Sequence, residues 1–259
     1  MDVHHFRQQI DGIDWYCEQR GDGPLMVLVP SGEGDCSNFE RVAAALADQF
    51  TVLTFDTPGF SRSKVRSEDL ISMPKLGDQI AGLVQSLGND PATFYGGSSG
   101  GLAILDLVVH HGEIVRNAIV HEVPMARATA SLGDLVTLSD TDIVETCKFV
   151  FAHVMNDDPA AWESLGEQYH ARLAKNYVTW VRRYVAAGLP PLPRSEGLAG
   201  KPITWTIGGL TPAMTFLDNV VVAVKAGLTV DTLICKHFPQ VSAPDMLAQH
   251  IRTHAAVTA

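Results

Sequence analysis

Cysteine is scarce. Four residues, Cys17, Cys36, Cys147 and Cys235, stand far apart in a chain of 259. With no C-x-x-C pair, neither a zinc site nor a redox motif is expected, and isolated thiols suit a cytoplasmic protein. Long apolar runs are missing too. No stretch approaches the ~20 apolar residues that a membrane span needs. No apolar run follows the opening Met1-Asp2-Val3-His4-His5, so a secretory signal is not expected. Positive charge is short: 19 Lys and Arg against 29 Asp and Glu give a net charge of −10, which leaves no footprint for nucleic acid and serves solubility. There is no internal repeat and no low-complexity tract.

What is present is ordinary globular composition, 46% hydrophobic and 19% charged, which argues against disorder. The length suits one large domain with an insertion. Short apolar runs alternate with amphipathic stretches, the pattern of a mostly parallel sheet with helices on both faces. An opening hairpin is expected over 5–10 and 13–18, turning at Asp11-Gly12. Buried strands are expected at Leu25–Val29, 52–56, Ala92–Gly97, 118–122, 203–207 and 232–235, which makes an eight-stranded sheet. Pro74 suits a first helical turn, Gly88 ends that segment, and further helices are expected over 99–110 and 245–253.

Between Glu122 and Ile203 the alternation stops. Ser139-x-x-Asp142 opens a helix with Ile143, Cys147, Val150, Phe151 and Val154 on one face. Asp158-Pro159 starts a second, expected to run through Leu173. A third is expected over 177–187, ending at Pro190-Pro191-Leu192-Pro193. The reading is a helical cap, 125–197, inserted into a core made of 1–124 and 198–259.

The strongest chemical signal is Gly96-Gly97-Ser98-Ser99-Gly100, a G-x-S-x-G placed after an apolar strand and opening a helix. That setting is the nucleophile elbow of the α/β-hydrolase fold, and Ser98 is the expected nucleophile. A serine hydroxyl needs a base. In this architecture the base follows the last strand, which selects His237 among ten histidines. His4, His5, His110, His111, His153, His170, His250 and His254 read as surface or helix residues, and His121 as structural. The usual place for the acid, after the strand at 203–207, holds Thr211. The alternatives are Glu122, at a strand end where a buried carboxylate needs a reason, and Asp218 in the following helical segment; chain order favours Glu122. The oxyanion donors are expected to be the amides of Ser99 and of Gly32, in the loop Pro30-Ser31-Gly32-Glu33-Gly34. Asp56-Thr57-Pro58-Gly59-Phe60-Ser61-Arg62-Ser63 is a structural loop of the same fold.

The elbow, His121-Glu122-Val123-Pro124, the run His170–Tyr177 with Trp180, Phe216-Leu217-Asp218-Asn219 and His237-Phe238-Pro239 together resemble the fungal zearalenone hydrolases, over essentially the whole chain. The resemblance implies opening of the macrocyclic lactone of zearalenone, a resorcylic acid lactone, followed by loss of CO₂. It implies a Ser-His-Glu triad, in agreement with Glu122. It also implies a substrate pocket built from Trp180, Tyr184, Pro124, Val154, Met155, Phe216 and Phe238. Ser31 departs from the Asp found before the oxyanion glycine in that family. The chemistry calls for no metal and no organic cofactor. Two rival functions share the sequence features: a lactone receptor with slow turnover, and an esterase for simpler apolar esters. A dehalogenase would need Asp at position 98. The substrate is the one expected partner, and the oligomeric state, a homodimer included, stays open.

Overall fold

The computed structural model describes residues 2–88, 91–130, 132–188 and 192–255. The apolar runs form one nine-stranded sheet. β1 (His4–Ile10) and β2 (Ile13–Arg20) make the opening hairpin, with positive φ at both Asp11 and Gly12, as a tight two-residue turn requires. Then come β3 (Leu25–Val29), β4 (Thr51–Phe55), β5 (Lys64–Val65), β6 (Ala92–Gly97), β7 (Val115–His121), β8 (Ile203–Gly208) and β9 (Thr229–Leu233). The order is β1-β2-β4-β3-β6-β7-β8-β9, with β5 on β2. β2 meets β4 antiparallel, and every pairing from β4 to β9 is parallel. β5 has only two residues and no apolar run to announce it.

Alternation along the central strands divides the core. Val27, Val29, Phe94 and Val120 face one layer, which holds the helices Leu76–Leu87 and Ser98–His110. Met26, Leu28, Tyr95 and Ile119 face the other, with helices Glu40–Leu46 and Pro244–Ala255. Each fully buried aliphatic or aromatic side chain contributes about 1.5–3 kcal/mol relative to exposure, so this two-sided burial fixes the register. That register sets Gly97 beside His121 and His121 beside Thr206. Residues leaving β6, β7 and β8 therefore emerge together at the C-terminal edge, where parallel α/β sheets place their ligands.

Three expectations need correction. The last strand begins at Thr229, ahead of the run 232–235. Beyond Leu233 the chain curls, Cys235 N donating to Leu233 O at 2.9 Å, and leaves Ile234 exposed. The second inserted helix does not reach Leu173. It stops at Glu163, and Gly166, at φ 91°, turns the chain into a helix at Glu167–Thr179. The expected third helix is the continuation of that one. Its stop at Pro190-Pro191 lies outside the described residues.

Among the described residues the segment from Ala126 to Leu198 is helix and turn without a strand. Asp140–Phe149 is capped by Ser139, whose hydroxyl accepts from Asp142 N. That helix and Glu167–Thr179 both end in a widened π-turn, Val150–Val154 and Trp180–Val185. Met155 N reaches Val150 O at 2.8 Å and Ala186 N reaches Val181 O at 2.9 Å. No helix among the described residues is long and apolar enough to cross a membrane.

Candidate active site

Ser98 closes β6 and opens the helix that follows, at φ 51°. A non-glycine residue there is strained by roughly 1–3 kcal/mol, and the surroundings must hold it. Two glycines permit the turn. A Cβ on Gly100 would stand 2.6 Å from Pro30 O, and one on Gly96 would meet Gly100 at 2.9 Å.

Glu122 is the first residue past β7, also left-handed, at φ 43°. Its Oε2 lies 2.8 Å from His237 Nδ1, and its Oε1 accepts from Gly208 N at 2.8 Å. Gly208 must lack a side chain there, since a Cβ would press on the carboxylate at 2.8 Å. Burial pushes the Glu122 carboxyl up, but the hydrogen bond with His237, foremost among the opposing influences, leaves it below the usual carboxylate range. The backbone just beyond is pinned by buried Asn219. Its Oδ1 accepts from Val123 N and from Trp205 Nε1, and its Nδ2 donates to Val123 O.

His121 is fully buried beside this pair. Its Nε2 donates to Lys236 O at 3.2 Å and its Nδ1 lies 2.9 Å from Thr206 Oγ1. Desolvation carries its pKa down to about 4, against the pull of Glu122, so it stays neutral. Asp218 is engaged elsewhere: its Oδ1 accepts from Arg127 Nε at 2.8 Å.

His237 is held on three sides. Phe216 stacks on its ring at 5.3 Å and 10°, Phe238 meets it edge-on at 5.1 Å, and its backbone N donates to Met155 O at 2.9 Å. Its Nε2 is buried and finds no hydrogen-bond partner among the described residues. With Nδ1–H donating to the Glu122 carboxylate, Nε2 is the ring nitrogen left to accept a proton.

Ser98, Ser99 and His237 line one cavity of about 420 Å³. Pro124, Val154, Met155, Trp180, Tyr184 and Phe216 line it too. Val154 is 54% exposed and so is no part of the buried helix face expected for it. Phe238 lies behind the cavity, packed on Phe151 and Trp162. Gly32 is not part of the lining, but a Cβ on it would stand 2.6 Å from Trp180 Nε1, so the indole rests directly against this loop. Sequence reasoning missed Met73, Leu102, Thr129 and Leu132 in the same lining. Met73, Leu102 and Leu132 have the apolar side chains of core residues, and no local signal marks any of the four as pocket.

It also missed how the loop is fixed. Ser31 Oγ donates to Gly97 O at 3.1 Å, tying the loop to the elbow strand. Arg172, from helix Glu167–Thr179, donates to buried Asp35 at 2.6 Å, and Asn176 donates to Glu33 O at 2.6 Å. Glu33 itself is fully buried, with Asn38 Nδ2 on Oε1 at 2.7 Å and no partner on Oε2 among the described residues. Burial pushes its carboxyl up to about 7, against the Asn38 bond and the nearby His237.

The alpha/beta hydrolase fold family matches residues 24–137. The chain is 37% identical to the zearalenone hydrolase of Bionectria ochroleuca over 93% of both chains. It is 36% identical to the zearalenone hydrolase of Cladophialophora bantiana over 93% of this chain and 92% of that one. The chain belongs to the zearalenone hydrolase family of the α/β hydrolases. It is an ester or lactone hydrolase. Among solved structures, the enol-lactonase of Burkholderia xenovorans LB400 superposes with a TM-score of 0.74 at 19% identity, covering 96% of this chain and 99% of that one, a likeness of fold. Within a zearalenone hydrolase architecture, the residues between β7 and β8 supply the cavity's Trp180 and Tyr184, while the sheet edge supplies Ser98 and His237.

Proposed function

We propose that the chain opens the macrocyclic lactone of zearalenone-type resorcylic acid lactones with a triad of Ser98, His237 and Glu122. One observation carries the reading: the unpartnered, buried Nε2 of His237, whose Nδ1 is fixed by Glu122, belongs to the same largely apolar cavity as Ser98. The relatives' activity supports the substrate.

Ser98 Oγ attacks the lactone carbonyl as His237 Nε2 takes its proton. The amides of Gly32 and Ser99 hold the oxyanion. The imidazolium, paired with Glu122, protonates the departing alkoxide and leaves a ring-opened acyl-enzyme. His237 then activates water, which releases the acid and restores Ser98. Residues 125–197 act as a lid over a core of 1–124 and 198–259, with Trp180, Tyr184, Pro124, Val154, Met155 and Phe216 around the ring and Phe238 bracing His237 from behind. The four buried free thiols suit a cytoplasmic setting.

Chromatography of zearalenone after incubation with the protein tests this. Many turnovers per enzyme are expected, with none for Ser98→Ala. Stoichiometric binding without turnover would point to a receptor, and hydrolysis of simple esters alone to a general esterase.

A further inference from the structure

At the sheet's far edge three potential ligands converge away from the catalytic cavity. β9 is the edge strand, and its Asp231 sits opposite Thr206 of β8. The C-terminal helix Pro244–Ala255 carries His250 and His254, one turn apart. His254 Nε2 lies 3.1 Å from Asp231 Oδ2, His250 Nε2 lies 4.0 Å from the same oxygen, and all three ligand atoms fall within 4.8 Å of one another. The two imidazole rings stand 4.3 Å apart, centroid to centroid.

A His–Asp ion pair accounts for only part of this. Asp231 serves His254, while His250 Nε2 is buried and has no hydrogen-bond partner among the described residues. An orphaned imidazole nitrogen beside a second imidazole and a carboxylate is a costly arrangement unless something joins them. Around a tetrahedral ion bound at ~2.0–2.1 Å, ligand atoms stand roughly 3.3 Å apart. The observed separations, 3.1 and 4.0 Å to Asp231 Oδ2 and within 4.8 Å throughout, lie near that value. The second shell fits as well: Thr204 Oγ1 lies 3.4 Å from His254 Nδ1, where it could accept from Nδ1–H and so turn Nε2 toward a metal. The Asp231 side chain is 38% exposed, so the site opens to solvent on one side. Two imidazoles with one carboxylate suit zinc and its borderline neighbours, whereas magnesium and calcium prefer all-oxygen sets.

We propose that Asp231, His250 and His254 form a three-ligand site for a divalent transition ion of the zinc class, which staples the edge strand to the last helix. His237 lies in the chain between these two elements, followed by a short helix at Pro239–Ser242. The sequence shows no cysteine pair here, and the site is instead built from a His-x-x-x-His helix face and a strand carboxylate brought together by the fold.

The test uses the whole protein stripped with EDTA and titrated with ZnCl₂ by calorimetry and by thermal melting. One saturating ion per chain and a raised melting temperature are expected. Affinity should fall by about 10-fold or more in His254→Ala and in Asp231→Asn, the latter preserving side-chain shape. MgCl₂ should give neither heat nor shift. Cobalt binding adds an optical readout, since the visible absorption of a low-coordinate ion should vanish in both variants. No saturable zinc binding, or binding that survives in both variants and so belongs to histidines such as His4 and His5, would overturn the proposal.

Discussion

His237 Nδ1 and Glu122 Oε2 meet at 2.8 Å although 115 positions separate the two residues, and the carboxylate's other oxygen is occupied by Gly208 N. Asp218 is meanwhile bound to Arg127. Glu122→Gln should therefore lower kcat far more than Asp218→Asn, by roughly 10³-fold or more against less than about 10-fold. Steady-state rates on zearalenone for the two variants, with circular dichroism to check folding, decide it. The reverse ranking would move the acid to the helix after β8.

Ser98→Ala should remove at least ~10³-fold of the turnover while ligand binding persists. Quenching of tryptophan fluorescence by zearalenone measures the binding arm. Activity near that of the unaltered protein would place the nucleophile elsewhere.

Trp180 touches both the cavity and Gly32. Burying an aromatic side chain is worth about 1.5–3 kcal/mol, so Trp180→Ala should cost roughly 10- to 100-fold in kcat/KM on the macrolactone. A small activated ester such as p-nitrophenyl acetate does not reach the lid, and its hydrolysis reports only the effect on the Gly32 loop. The expected loss there is a few-fold. Equal losses on both substrates would mean that the indole serves the loop and not the ring.

Glu33 offers a pH test of stability. Its carboxyl, ordinarily near 4.5, is pushed up to about 7 in the folded protein. Between these values the native state keeps a proton that the unfolded chain releases. Stability is then highest below the lower value and is lost as pH rises through the upper one. Glu33→Gln retains an acceptor for Asn38 and removes the cost of ionisation. It should be more stable than the unaltered protein at pH 8, by up to about 3 kcal/mol, with the gap closing near pH 5. Urea unfolding at both pH values measures this, and a gap that does not change with pH would show that Glu33 does not titrate in that range.

The sheet and the elbow were legible because their signals are local: apolar runs, Asp11-Gly12, and glycines around Ser98. Chain order places His237 after the last strand, and the structure sets it in the same cavity as Ser98. Other features depend on tertiary contacts that leave no local mark. The break at Gly166 falls inside a helical pattern that reads as continuous. The π-turns at Val150–Val154 and Trp180–Val185, which both contribute cavity-lining residues, have no signature in the helical periodicity. Leu233-Ile234-Cys235 looks like a strand but curls, because an edge position gives Ile234 no partner face. The Arg172–Asp35 contact joins residues 137 positions apart, beyond any periodicity.

That contact gives the lid a second task. The helix that carries Trp180 into the cavity is bolted through Arg172 and Asn176 to the loop whose glycine amide would receive the oxyanion, and the indole itself leans on that glycine. On the proposed mechanism, lifting that helix would also free the loop from Arg172 and Asn176, so admission of a large ring and support of the oxyanion donor would be coupled through the same contacts.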